Sequence, residues 1–168
     1  MNQPELIEIT DRQSAEGQLE TAIVLWFEEK DLSSIHTLAT AAQGLLNRMC
    51  GERRVESSSI NKIIDTNKQG RWLRMPQNFF KHGTDRNDKH KGVTAYFPAF
   101  TELVLMDCLS MYQRLFGTLT PVMKLFGLRY GLLNPRGFPT KITVEGVEIE
   151  DLRGLTRPEF LKKVLPSL

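Results

Sequence analysis

The sequence predicts an all-α protein, a helical bundle of about six helices with a small C-terminal β-hairpin. Apolar residues recur at spacings of three and four along most of the chain, as they do on one face of an α-helix. Ser, Thr, Asp and Pro residues, which favour helix starts, precede these periodic stretches. Strict period-two alternation, typical of a strand pair, is confined to residues 141–150. We therefore predict one helical domain over residues 1–168, in which residues 140–168 form a hairpin-plus-helix appendage.

The first two predicted helices form an antiparallel pair joined by a tight turn. One apolar stripe runs through residues 14–30 and predicts the first helix. Asp31 is the candidate N-cap of the second helix, and Gly51 is its predicted C-terminal stop. The second helix is rich in alanine, which leaves room for another helix to pack closely against it.

The middle of the chain predicts two shorter helices and an exposed loop. Serines precede Ile60, Ile63 and Ile64 at helical spacing, which predicts a helix over residues 57–65. Pro76 favours the first turn of a one- to two-turn helix that ends at Gly83. Residues 83–92 contain no apolar side chain, so we predict a solvent-exposed loop there.

Residues 98–117 are apolar on nearly every side, which is typical of a central helix. Either neighbouring helices or a second subunit would cover it. The excess of apolar surface predicts a homodimer, through residues 103–115 or through the alanine-rich second helix. After this helix, Thr120 and Pro121 are predicted to start another helix that extends to Tyr130 and ends at Gly131. A terminal helix is predicted to begin near Thr156.

Composition and targeting signals restrict the class of protein. With 40% hydrophobic and 25% charged residues among 168, the chain is typical of a soluble globular protein and not of a disordered one. The first residues lack the basic and apolar regions of a signal peptide, and no apolar stretch approaches the roughly 20 residues that span a bilayer. We expect a cytoplasmic protein without a membrane segment. Cys50 and Cys108 have no CxxC spacing and are expected to be reduced and buried.

Positive charge is concentrated in residues 68–92, called the basic segment below. Seven cations and two anions give it a net charge of +5, whereas the rest of the chain carries −3. Cations interleaved with aromatic rings are typical of a surface that binds nucleic acid phosphates and bases. The alternative is a solvated loop beside two core phenylalanines. The candidate binding residues are Arg71, Trp72, Lys81, Arg86, Lys89, His90 and Lys91.

The same segment holds a candidate catalytic group. Asn78 and His82 are four residues apart and would share one face of the short helix, with Arg74 just before it. A histidine titrating near neutral pH could transfer a proton while Arg74 holds a phosphate, which suits cleavage of RNA by its own 2′-hydroxyl. The alternative for His82 is a structural role at a helix C-terminus, where a positive charge is favoured.

The string RMPQNFFKH over residues 74–82 resembles the arginine-to-histidine motif of HEPN-domain proteins, a superfamily of helical bundles that includes many dimeric ribonucleases and toxins. The resemblance implies that Arg74 and His82 line a cleft at a dimer interface. The run between them is longer here than is usual in that family and contains Pro76. The patterns SIHTLATAA and NFFKH are also similar to all-helical bacterial proteins of unknown function.

Two polar residues are expected inside the bundle. Asp107 lies within the most apolar helix, where an unpartnered carboxylate would cost several kcal/mol, on the order of an ion desolvation penalty. His36 lies in the apolar second helix and is interpreted as a hydrogen-bonded core or interface histidine. We predict that these two form a buried polar pair, with an Arg or Lys from residues 68–91 as the alternative partner of Asp107.

The known site motifs give little support for other chemistry. The candidate ligands His36, His82, His90, Asp85, Asp88 and Asp107 have no metal-binding spacing, and we expect neither a metal nor a cofactor. No phosphate-binding glycine loop and no GxSxG elbow occurs. Two functions remain: an interaction module that binds nucleic acid or a protein through residues 68–92, or a HEPN-like metal-independent endoribonuclease that uses Arg74 and His82.

Overall fold

A computed structural model of the chain describes residues 6–66, 76, 80, 97–135 and 152–168. Within these ranges the backbone is helical with connecting turns, and no strand occurs, which confirms the all-α class. The helices are α1 (Asp11–Phe27), α2 (Leu32–Arg53), α3 (Ser59–Thr66), α4 (Pro98–Phe116), α5 (Pro121–Leu133) and α6 (Arg157–Val164), and a short 3₁₀ helix (Leu165–Ser167) follows α6. The predicted hairpin at 141–150 and loop at 83–92 lie outside the described residues.

The predicted antiparallel pair of α1 and α2 is confirmed. The carboxylate of Asp11 at the start of α1 lies 2.7 Å from the guanidinium of Arg48 near the end of α2. The turn between them uses a left-handed Glu29, whose φ is 56°. Asp31 caps α2 as predicted, because its carboxylate accepts a hydrogen bond from the Ser34 backbone N–H at 2.8 Å.

Helix α4 packs beside α2 and runs in the same direction. His36 near the start of α2 meets Thr101 near the start of α4, and Arg53 at the end of α2 donates to the carbonyl of Leu115 at the end of α4. Parallel neighbours require the chain to return along the bundle between them. Residues 54–97 connect the end of α2 to the start of α4, and they include α3 and the basic segment.

The prediction of a central helix over 98–117 is confirmed. Most apolar side chains of α4 are buried inside the chain, and Leu103, 46% exposed, is an exception. At one end of the core, the ring of Trp26 packs edge-on against Phe27 and Phe126, with centroid distances of 5.0 and 4.9 Å. Phe160 of α6 stacks on Phe27 and so attaches the C-terminal helix to this aromatic cluster.

Two predicted helix stops are wrong. Gly51 lies inside α2, which continues to Arg53 and ends at a left-handed Arg54 with φ of 55°. The bond from Arg53 to the Leu115 carbonyl stabilises this extra turn. Gly131 is likewise buried inside α5, which continues to Leu133 and ends at Asn134, whose side-chain amide donates to the Tyr130 carbonyl. The first extension thus has a partner on α4, and the second has a partner within the last turn of α5 itself.

Helix α3 differs slightly from its prediction. It begins at Ser59, two residues later than expected, and Ile64 is buried whereas Ile63 is 62% exposed. Elsewhere Cys50 and Cys108 are free and buried, as predicted. No helix among the described ranges combines the length and the apolar character that a membrane crossing requires.

Candidate functional site

The predicted catalytic and binding residues of the basic segment lie outside the described residues. They are Arg74, Asn78 and His82, and Arg71, Trp72, Lys81, Arg86, Lys89, His90 and Lys91. Whether Arg74 and His82 converge therefore stays a prediction. Two residues within the segment are described, Pro76 and Phe80, and both have helical backbone, as the predicted short helix requires.

Phe80, a residue of the basic segment, packs against the bundle. Its half-buried ring packs edge-on against His36, with 5.7 Å between ring centroids and an interplanar angle of 75°. Pro76, one turn earlier, is buried. Because His36 lies in the second turn of α2, Phe80 packs at the amino-terminal end of that helix.

A cleft lies at this contact. It has a volume of about 400 Å³, is open to solvent, and is lined by Ser33, Ser34, Thr37, Leu38 and Phe80. Among the described residues of this lining, three carry hydroxyl groups and the other two are an aliphatic and an aromatic side chain. A small number of polar groups beside apolar walls is typical of small-ligand sites. We call this the α2 cleft.

The hydroxyl protons of the α2 cleft are largely occupied. Ser33 donates to the Asp31 carboxylate at 2.8 Å, and Thr37 donates to the Ser33 carbonyl at 2.8 Å. Since a hydroxyl has one proton and two lone pairs, Ser33 and Thr37 present acceptors to the cleft. Hydrogen bonds from Ser34 and then Ser33 lower the pKa of Asp31 to about 2, so its carboxylate is ionised at neutral pH.

His36 lies beneath the cleft and has no exposed surface. Its Nδ1 is 3.0 Å from the Thr101 hydroxyl of α4, and the ring of Phe100 lies 6.0 Å away. The interpretation of His36 as a hydrogen-bonded core histidine is confirmed. Its burial means that a ligand in the α2 cleft would meet Phe80 and the hydroxyls rather than the imidazole.

The predicted pairing of His36 with Asp107 is wrong, although both residues are buried. The Asp107 carboxylate accepts from Gln43 Nε2 at 2.9 Å, from the Ser58 hydroxyl at 2.5 Å and from the Ser59 backbone N–H at 2.9 Å. His36 lies seven residues before Gln43, about 10 Å along α2, and so faces an earlier part of α4. The alternative partner, a cation of residues 68–91, lies outside the described part of the chain.

Arg129 of α5 is a buried charge that sequence reasoning missed. It is 5% exposed, and its guanidinium donates to the backbone carbonyls of Leu152 at 3.0 Å and Leu155 at 2.6 Å. It also lies 5.1 Å from the centre of the Phe160 ring. Burial, and then the charge of Arg157, lower the pKa of Arg129. No pattern around Arg129 distinguishes it from a surface arginine.

Metal-binding geometry and comparisons with known proteins add no further site. Among the described residues, no three His, Cys, Asp or Glu side chains are grouped closely enough to hold a metal ion. No family model matches the chain, and no curated protein or solved structure does so. The candidate site therefore rests on the chain's own chemistry: the composition of the basic segment, and the α2 cleft that Phe80 of that segment lines.

Proposed function

We propose that this protein is a non-enzymatic interaction module that binds nucleic acid through the basic segment 68–92. The observation that carries the proposal is the separation of charge: +5 within the basic segment and −3 over the remainder of the chain. Lys and Arg contacts to phosphates supply most sequence-independent affinity for nucleic acids. Trp72 within the segment adds a ring on which a base can stack.

The contact between Phe80 and His36 supports the proposal. Phe80, a residue of the basic segment, contacts the buried His36 and also lines the α2 cleft. An acidic protein surface could satisfy the same cations. Aromatic rings among the cations favour nucleic acid, because rings stack on bases while cations neutralise phosphates.

The proposal is tested by the salt dependence of binding to labelled single-stranded RNA and DNA. Lys81→Ala and Arg86→Ala should each weaken binding and reduce the slope of log K against log salt by about 0.7, the value for one lost contact to a single strand. Lys162→Ala, on the exposed part of α6, is the matched control and should change neither quantity. Affinity that is unaffected by Lys81→Ala and Arg86→Ala would overturn the proposal, and a protein partner would then be sought.

The second candidate is a HEPN-like metal-independent endoribonuclease, favoured by the RMPQNFFKH string. In this case His82 transfers the proton, Arg74 holds the phosphate and Asn78 orients the substrate. Wild-type protein should cleave mixed RNA in the presence of EDTA, and His82→Ala should abolish cleavage without changing the circular dichroism spectrum. Cleavage that persists in His82→Ala would discard this assignment.

A homodimer remains part of the proposal. Ala39 and Ala42 of α2 are fully buried within one chain, which favours the alternative surface on α4 around Leu103. Sedimentation equilibrium of Leu103→Lys should then show a smaller mass than the wild-type protein. The cytoplasmic location, the single domain with its appendage at 140–168, and the hairpin over 141–150 stay predictions.

A further inference from the structure

The polarity of the α2 cleft restricts what it can hold. Ser33 and Thr37 direct lone pairs to it, because each has already donated its hydroxyl proton inside the protein. Ser33 is also bonded to Asp31, which is ionised at neutral pH. Ser33 and Thr37 therefore favour a ligand that donates hydrogen bonds, and the ionised Asp31 bonded to Ser33 disfavours a phosphate beside them.

The N-terminus of α2 offers no substitute phosphate site. Asp31 caps it by accepting the hydrogen bond of the Ser34 backbone N–H at 2.8 Å, so a carboxylate already occupies the place an anion would take. Under the proposed function, the cations of the basic segment bind the phosphates of a bound strand. What reaches the α2 cleft is the part of a nucleotide that carries no charge.

The size and walls of the cleft agree with this division. About 400 Å³ lies within the range of small-ligand sites, roughly 300–1,000 Å³, and is too small for a folded partner. Phe80 and Leu38 provide an aromatic and an aliphatic wall against which a planar ring can pack. Recognition of single strands commonly combines such stacking with hydrogen bonds to base edges.

We propose that the α2 cleft binds a nucleobase that bears an exocyclic amino group, with the base against Phe80 and its amino group donating to Thr37 and Ser33. This inference rests on the proposed function and deepens it: the basic segment would supply affinity, and the α2 cleft would supply base preference. The affinities for cytosine and uracil strands separate these two roles. The two bases are alike in size, but cytosine presents an amino donor where uracil presents a carbonyl acceptor.

The experiment compares the affinities of single-stranded oligodeoxycytidine and oligodeoxyuridine of equal length, measured by fluorescence anisotropy at one salt concentration. Wild-type protein should bind the cytosine strand at least about fivefold more tightly, the lower end of discrimination for a specific base-edge contact. Thr37→Val removes an acceptor while keeping the shape of the side chain, and should bring the ratio of the two affinities close to one. Thr21→Val, on the exposed part of α1, is a helix-matched control that should preserve the ratio.

A second variant tests the aromatic wall. Phe80→Leu should weaken binding of both strands to a similar extent, since stacking tolerates either pyrimidine. Near-wild-type helicity in circular dichroism separates this effect from unfolding, and Thr37→Val provides the independent test if Phe80→Leu does not fold.

The outcomes separate the inference from the proposed function. Equal binding of both strands by the wild-type protein, with the salt dependence intact, would overturn the base site and leave the nucleic-acid module standing. A cytosine preference that survives Thr37→Val would also overturn the base site. Failure to bind either strand would overturn both proposals.

Discussion

Asp107 and Arg129 are two buried charges of opposite sign, and in the described part of the chain neither is bonded to a residue of opposite charge. Asp107 is 7% exposed and accepts hydrogen bonds from an amide, a hydroxyl and a backbone N–H. Arg129 is 5% exposed and donates to two backbone carbonyls. Asp107 thus connects α4 to the start of α3, and Arg129 connects α5 to the residues just before α6.

The two sites differ in how completely their polar atoms are satisfied. Both oxygens of Asp107 have partners, whereas the buried Nε of Arg129 has no hydrogen-bond partner among the residues that the structure describes. A carboxylate has two compact acceptor atoms that a helix start can satisfy, since the first N–H groups of a helix need acceptors. A guanidinium has five donors in a fixed plane, which is harder to satisfy with carbonyls alone. We therefore expect removal of Asp107 to be the more costly change.

Among substitutions at these buried charges and at exposed polar residues, Asp107→Ala should cause the largest loss in the free energy of unfolding. It leaves the donors of Gln43, Ser58 and Ser59 without their acceptor and frees the start of α3, so we expect a loss of about 3 kcal/mol in the free energy of unfolding. Urea unfolding followed by circular dichroism measures the loss. Asp107→Asn, which keeps one acceptor oxygen, should lose less. A loss below about 1 kcal/mol for Asp107→Ala would show that the three donors find other acceptors.

Arg129→Met should have a smaller and more local effect. Methionine keeps the apolar stem but leaves the carbonyls of Leu152 and Leu155 without their donor, so we expect a loss of about 2 kcal/mol. Hydrogen exchange of α6 amides should accelerate more than that of α1 amides, because these carbonyls immediately precede α6. Uniform acceleration in both helices would contradict the view that Arg129 acts on the C-terminal segment.

Glu102→Gln tests a pair that does join opposite charges. Glu102 accepts from Trp26 Nε1 at 3.1 Å and from Arg157 at 2.9 Å, and both ion-pair side chains remain 20–30% exposed. Glutamine can still accept from Trp26, so only the charge is removed and the expected loss is about 1 kcal/mol or less. Thermal unfolding at low and high salt measures it. A loss larger than that of Arg129→Met would reverse the order proposed for the two kinds of site.

Asp31→Asn should have the smallest effect at neutral pH. Asp31 accepts from a backbone N–H and a hydroxyl, as Asp107 does, but it is exposed. Asparagine also caps helices well, so we expect a change of about 0.5 kcal/mol or less at pH 7. The pKa of Asp31 is about 2 in the folded protein and lies below its ordinary value of 3.8. Its contribution is therefore complete above about pH 4 and is lost as the pH falls towards 2.

The pH dependence supplies the check. Between pH 4 and pH 2 the wild-type midpoint of thermal unfolding should fall more steeply than that of Asp31→Asn, because only the wild type loses the ionised cap. Glu8→Gln, on the exposed stretch before α1, is the control and should follow the wild type. Parallel curves for wild type and Asp31→Asn would show that the cap contributes nothing through its charge.

Much of the fold follows from local signals, and the errors at two helix ends arise where bonds made by later residues outweigh a glycine. Thr120, Thr156 and Asp31 each start a helix as predicted, because a cap bonds to backbone groups only two or three residues away. The prediction that Gly51 and Gly131 end their helices is wrong, because a glycine permits a helix to end but does not require it to end there. Bonds made by Arg53 and Asn134 extend both helices past the glycine.

The candidate site also has one part that the sequence predicts and one part that only the fold creates. The basic segment is evident from residue types alone, since charge is a property of composition. The α2 cleft has no sequence signature, because Ser33, Thr37 and Leu38 form it with the ring of Phe80, which lies 42 to 47 positions further along the chain. The polarity of its hydroxyls depends on bonds to Asp31 and a backbone carbonyl, which only the folded helix provides.

The sequence by itself determines which faces of the helices are apolar, where most helices begin, that both cysteines are buried and where positive charge accumulates. These properties depend on spacing and composition over a few turns. The tertiary structure alone decides that α2 and α4 run parallel, that Asp107 meets Gln43 and Ser58 instead of His36, and that Arg129 is buried. Those features depend on how far along their axes two helices make contact. A sequence period of 3.6 residues identifies the buried face of a helix, but it does not specify which residue of the partner helix lies opposite.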